Sequence, residues 1–162
     1  MPERQLGIKV LSVLHILSGI LLALRALIST TRFQELQARL HATPILAIVL
    51  LAYLAVLALS SGVGMWRGKR WGWWLAAFFY MHSITRLVSY LPKIHAIAEQ
   101  FELGVAGTNS LYTIAGLKIL WSAVVLLYLF SVRVWTSFGL GKVKKLVAAA
   151  GLLGIAMLVG AF

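Results

Sequence analysis

Beyond Lys9, near the start of the first, five ionisable side chains interrupt stretches that are otherwise apolar: His15, Arg25, His82, Arg86 and Lys118. Ionisable groups at membrane depth are costly and mark functional positions by default. Three chemistries fit these types. His15 and His82 could bridge helices through hydrogen bonds, or supply the two axial nitrogens of a haem or the polar end of a quinone site. Arg25, Arg86 and Lys118 could hold an anion or the phosphate of a lipid headgroup, or reach outward to phosphate from within a helix. Other chemistries lack their parts. There is no Asp and no Cys, and only four Glu. A Ser–His–Asp triad, a thiolate nucleophile and a cysteine metal site are thereby removed, and no intramembrane carboxylate exists for a proton relay. This inventory argues against an enzyme, and it calls for no resident metal or cofactor.

The elements that carry these residues follow from composition. Of 162 residues, 61% are hydrophobic and 12% charged. Soluble domains average about 45–50% apolar and about 25% charged, and a chain this short has too little interior to hide such an excess. The expected fold is all-α: a polytopic transmembrane bundle forming a single domain over residues 1–162. Four core spans are expected at about 6–28, 44–65, 73–91 and 111–132, with a short fifth, peripheral span at 146–162. Thr43-Pro44 offers an N-cap and an N1 proline at the second span. The first run is too long for the core of a cleaved signal peptide and lacks an A-x-A site after it. Small residues four apart, Ala58 and Gly62, Ala150 and Gly154, Ala156 and Gly160, suggest close helix contacts.

Depth follows from a rise of about 1.5 Å per residue. His15 and His82 each lie nine residues into spans of the same direction, which places both roughly 13 Å from the same membrane face. Arg86 is one turn beyond His82, Lys118 falls near the level of Arg86, and Arg25 lies near the outer boundary.

Orientation follows from the basic residues. The excess of 15 Lys and Arg over 4 acids would suggest nucleic acid on a soluble domain, but a membrane protein collects such charge in cytoplasmic loops. Nine fall on the side of Arg4, the turn at 67–70 and the 133–145 loop, and three on the side of Arg32, Arg39 and Lys93. The N-terminus and the second turn are therefore expected in the cytoplasm and the C-terminus outside. Two amphipathic helices are expected in the outer interface. In residues 31–41, Thr31 and Gln34 form a capping box and Phe33, Leu36 and Leu40 a stripe. In residues 92–103 the stripe is Ile94, Ile97, Ala98 and Phe101, with Gly104 as the stop.

The most distinctive stretch is Gly62-Val63-Gly64-Met65-Trp66-Arg67-Gly68-Lys69-Arg70-Trp71-Gly72-Trp73-Trp74-Leu75-Ala76. Trp66, Trp71, Trp73 and Trp74 alternate with Arg67, Lys69 and Arg70. Indoles prefer the headgroup level and the cations face phosphate and cytoplasm, so these seven residues read as an interfacial anchor. The stretch resembles the G-x-G-[LM]-W-x-x-[KR]-x-W-x-x-W-L-A turn of small, uncharacterised bacterial multi-span families. Asn109-Ser110-Leu111-Tyr112 and Val124-Val125-Leu126-Leu127-Tyr128-Leu129 look like their last span. The resemblance covers roughly residues 45–130, implies a bacterial inner-membrane protein and brings no catalytic residues with it.

The expected function is a non-enzymatic membrane subunit that binds partners or lipids. Its partners would be membrane lipids and other membrane subunits or further copies of itself, and not nucleic acid. A small anion or lipid transporter or channel using Arg25, Arg86 and Lys118 is one alternative. A haem- or quinone-binding redox subunit using His15 and His82 is the other.

Overall fold

A computed structural model describes residues 6–31, 44–141 and 143–160. The described residues are helical, without a strand. The elements are α1 (Leu6–Thr31), α2 (Pro44–Trp66), α3 (Arg70–Tyr90), a 3₁₀ turn (Leu91–Lys93), α4 (Ile94–Gln100), α5 (Gly104–Leu129), α6 (Val132–Ser137) and α7 (Lys145–Gly160). Contacts divide the chain into two compact units, Met1–Phe79 and Tyr80–Phe162.

Among the described residues, three helices are long and apolar enough to cross a membrane: Leu6–Thr31, Ile48–Trp66 and Gly104–Leu129. The first and last have 26 residues each, about 39 Å against a hydrocarbon core of about 30 Å. Helix α3 has 21 residues but carries Arg70, His82, Ser83, Thr85, Arg86 and Ser89. Helix α7 is apolar but has only 16 residues, about 24 Å. The amphipathic segment expected after Thr31, with Phe33, Gln34, Leu36 and Leu40, lies outside the described residues.

The free faces of α1 and α5 are largely aliphatic, unlike those of helices on a water-soluble core. On α1 the buried residues are Ile8, Leu11, Ser12, His15, Gly19 and Ala26, while Val10, Leu14, Leu17, Leu21, Leu24 and Ile28 are exposed. On α5, Ala115 and Ser122 are buried with Val125, Leu126 and Leu129, and Leu117, Leu120, Val124 and Leu127 face outward. Small and polar residues share the packed faces with Ile8, Leu11, Val125, Leu126 and Leu129, and large aliphatic residues dominate the free faces. That is the expected order where lipid is the solvent and helices associate through close packing and hydrogen bonds.

In the first unit α1 and α2 are antiparallel. A methyl group added at Gly62 would meet the Ser12 carbonyl oxygen at 2.9 Å and the Ile16 nitrogen at 3.0 Å, and one at Gly19 would meet the Leu59 nitrogen at 2.9 Å. The backbones approach that closely because glycine stands at each crossing. Ala55 and Ala58 are buried on the same side of α2.

Hydroxyls govern several helix ends. The polar stretch Thr108-Asn109-Ser110, expected to precede the fourth span, is already helical. Thr108 Oγ1 donates to the Gly104 carbonyl and Thr113 Oγ1 to that of Asn109, so the hydroxyls are satisfied without breaking the helix. Helix α5 therefore starts at Gly104 rather than Leu111. It ends at Leu129, because Ser131 turns extended and its hydroxyl caps the start of α6, accepting from the Val134 N–H. The fourth span thus stops short of Val132.

The stop of α4 also differs from expectation. Leu103 N–H donates to the Ala98 carbonyl and Glu102 N–H to that of Glu99. This Schellman pair places Glu102, at φ 51°, in the left-handed position. Gly104, at φ 62°, instead opens α5. Ile94 and Ala98 form the buried stripe of α4, whereas Phe101 lies past its end and is exposed.

Candidate functional site

Three places gather the residues that could do chemistry. The first is the α1–α2 contact. His15 is 2% exposed, Ser12 and Ser61 fully buried. His15 Nδ1 lies 2.6 Å from Ser61 Oγ, and Ser61 Oγ donates to the Ala58 carbonyl at 2.9 Å. A hydroxyl has one proton to give. With that proton on Ala58, the imidazole Nδ1–H is the donor to Ser61, which fixes the ring tautomer. The ring also packs edge-on against Phe79, centroids 5.3 Å apart. Ser12 donates to its own helix at Ile8. The polar groups here are engaged by helix neighbours, so the arrangement can join two helices and hold a ring in one orientation. Ser12, Gly19 and Ser61 were missed from sequence. Their signal was a stripe of small and polar residues at helical spacing within an otherwise uniformly apolar run.

The second place is the turn between α2 and α3. Gly68, at φ 67°, receives the chain in a second Schellman pair, with Gly68 N–H on the Met65 carbonyl and Lys69 N–H on that of Gly64, both at 2.9 Å. A methyl at Gly72 would collide with the Gly64 and Met65 backbone, and one at Gly64 would sit 2.6 Å from Gly72 Cα. The glycines of this motif thus have separate tasks: Gly62 admits α1, Gly64 and Gly72 admit each other, and Gly68 makes the turn. Trp66 and Trp71 are exposed, at 49% and 44%, and Arg67, Lys69 and Arg70 are exposed beside them. Trp73 departs from the anchor reading. It is fully buried and meets Trp74 edge-to-face at 5.0 Å. It is a core residue of the hairpin, because the Gly64–Gly72 approach turns that face of α3 inward.

The third place lies in the second unit. His82 is 2% exposed, with Arg86 one turn along α3 and the backbone of Ala156 on α7 beside its ring. Ala148, Leu152 and Ala156 are buried on α7. Of the fifth span's small-residue pairs, Ala150 and Gly154 face away, and a methyl added at Gly154 would meet nothing within 4 Å. Arg86 is half-buried, its guanidinium 5.9 Å from the centre of the Tyr90 ring. Lys118 is exposed on α5, and Arg25 is exposed on α1 in the other unit. Lys145 does more than add charge to a loop. Its ammonium donates to the Phe130 carbonyl at 2.7 Å, neutralising the end of α5, and lies over Trp135, which stacks on Phe130.

Among the described residues, no group of three His, Cys, Asp or Glu side chains is placed to hold a metal ion. Compared with known protein families, curated proteins and solved structures, the chain matches none. Fold and sites together define a class: among the described residues, an all-helical fold with three helices suited to crossing a membrane.

Proposed function

We propose that the protein is a multi-pass inner-membrane subunit of bacteria that binds partners or lipids and performs no chemistry of its own. The observation that supports this most is the exposed aliphatic face of α1 and of α5. Exposed Leu17, Leu21, Leu120 and Leu127 contrast with buried Ser12, His15 and Ser122, an arrangement suited to lipid and ill suited to water. In this reading α3 and α7 cross the membrane with the three longer helices. Arg70, His82 and Arg86 on α3 are accommodated by the turn at one end and the packed interior of its unit. The 67–70 turn and the N-terminus lie in the cytoplasm, as the distribution of basic residues favours. The α4 segment lies at the opposite interface, and Arg25, Arg86 and Lys118 meet phosphate on that side.

Purification in mild detergent, followed by mass spectrometry of everything retained, tests the reading. A stoichiometric lipid or protein companion is the expected result. A chain that emerges alone and lipid-free, and that passes anions when reconstituted in vesicles, would replace this function with that of a channel. Reporter fusions after Lys69 and at the C-terminus should report cytoplasm and exterior respectively. Two cytoplasmic readings would show that α7 does not cross.

A further inference from the structure

The second unit separates its charges along α5. Its only acids are Glu99 and Glu102. They line a surface cavity with Gly104, Thr108 and Asn109, at the first turns of a helix of 26 residues. From Leu103 to Phe162 the sequence holds no acid, and Arg133, Lys142, Lys144 and Lys145 all follow the far end of that helix. The chain at the far end is built as a cap. Lys145 is held on the Phe130 carbonyl at 2.7 Å, which ties the start of α7 to the end of α5. Val134, Trp135, Phe138 and Leu140 are buried. Gly139, at φ 67°, closes α6, its N–H on the Thr136 carbonyl and that of Leu140 on the Trp135 carbonyl. On this fixed base Arg133 and Lys144 are exposed. Arg133 follows Phe130 by three residues and Lys144 directly precedes Lys145, so the tie holds both at one end of the unit. Beside them in the chain are Val132 and Leu146, 69% and 85% exposed.

We infer that this cap binds anionic phospholipid headgroups, with Arg133 and Lys144 at the phosphates and Val132 and Leu146 in the acyl region beneath. Charge is the first ground. The acids of the unit lie about 30 Å away along α5, more than three times the screening length of about 8 Å at physiological salt, so they do not neutralise the cap. Lys145 is spent on the helix end, which leaves the exposed pair to meet an anion from outside. The apolar neighbours are the second ground. A bilayer interface takes cations and aliphatic side chains together, whereas an acidic protein surface in water answers only the charge. A second copy of this chain would bring the same positive end. The inference rests on the lipid-binding side of the proposed function and names the lipid class and its seat.

The test is native mass spectrometry of the full chain in mild detergent, given equal amounts of phosphatidylglycerol and phosphatidylcholine with identical acyl chains. The wild type should retain phosphatidylglycerol in clear preference. Arg133→Gln and Lys144→Gln, both at exposed positions, should each lower that preference about fivefold, the effect of one surface cation on an anionic lipid. The double variant should lower it more than tenfold. Lys93→Gln, exposed at the acidic end of the unit, should leave it unchanged. Equal retention of both lipids by the wild type overturns the inference. So does a preference that survives the double variant, or one that Lys93→Gln lowers as much. A protein companion lost from the double variant while the lipid preference persists would assign the cap to an acidic protein and overturn it too. If lipid is held but is indifferent to these changes, the cap fails and the broader reading stands. If no lipid and no protein are held at all, the broader reading fails as well.

Discussion

Most glycines of the two units differ in what surrounds them. In the first unit Gly19, Gly62, Gly64 and Gly72 each stand where a single added carbon would strike a neighbouring residue. In the second unit a methyl at Gly107 would strike Leu103, four residues back along the chain, whereas one at Gly104, Gly116, Gly151 or Gly154 would meet nothing within 4 Å. The hydrogen-bonding groups divide less sharply, since Ser12, Ser29 and Thr30 of the first unit also return their hydroxyls to their own helix. His15 and Ser61 join two helices in the first unit, whereas Ser122, Thr108 and Thr113 in the second return their hydroxyls to their own helix. Small and polar residues therefore carry interhelical packing in the first unit, beside the local backbone satisfaction that both units share.

The largest effect that contrast predicts is at Gly72. Gly72→Ala should destabilise the protein by more than about 3 kcal/mol, beyond ordinary overpacking, because the obstructing atoms are backbone and cannot rotate away. Unfolding in mixed micelles on titration with a denaturing detergent would measure it. A loss below about 1 kcal/mol would mean that the α2–α3 turn relaxes freely. Ser61→Ala comes next. It removes one interhelical hydrogen bond between buried groups, worth about 0.6 and at most about 2 kcal/mol in membrane proteins. His15→Phe, combined with it in a double-mutant cycle, should show coupling of that size. Additivity would remove the bond from the account.

In the second unit the sign reverses. Gly154→Ala should be neutral or stabilise by up to about 1 kcal/mol through helix propensity alone. A clear destabilisation would reveal a partner against that face of α7. Glu102→Gly should give the smallest change, a gain of about 0.5–1 kcal/mol from relief of the left-handed backbone at φ 51°, read from the same titration. A loss would assign Glu102 a contact worth more than its strain.

Much of the helical layout was legible from sequence, because an apolar run bounded by polar residues fixes where a helix can cross lipid. Leu6, Pro44 and the break at Pro92 all fall at or next to element boundaries. The site was less legible. A helix that is apolar all round has no hydrophobic periodicity to betray its packed face, so Ser12 and Gly19 passed unnoticed beside His15. The glycines of the 62–72 motif were visible, but their partners were not. Only the Gly64–Gly72 approach explains why Trp73 is buried while Trp66 and Trp71 face outward. Glu102 in place of Gly104 at the stop of α4 was equally hidden, since the rule that glycine takes the left-handed position is a preference and not a requirement.

The central claim is that the exposed aliphatic faces meet lipid rather than water. The chain has no cysteine, so single cysteines report without interference. Leu21 and Leu120 are 66% and 62% exposed, on two helices suited to crossing a membrane, and Lys69 is exposed in the turn. Leu21→Cys, Leu120→Cys and Lys69→Cys variants in native membranes, opened to expose both faces, are treated with a water-soluble maleimide. The account predicts rapid labelling at 69 and none at 21 or 120 until the membrane is dissolved and the protein denatured. Labelling at 21 and 120 as fast as at 69 in intact bilayers would show those faces in water and contradict it.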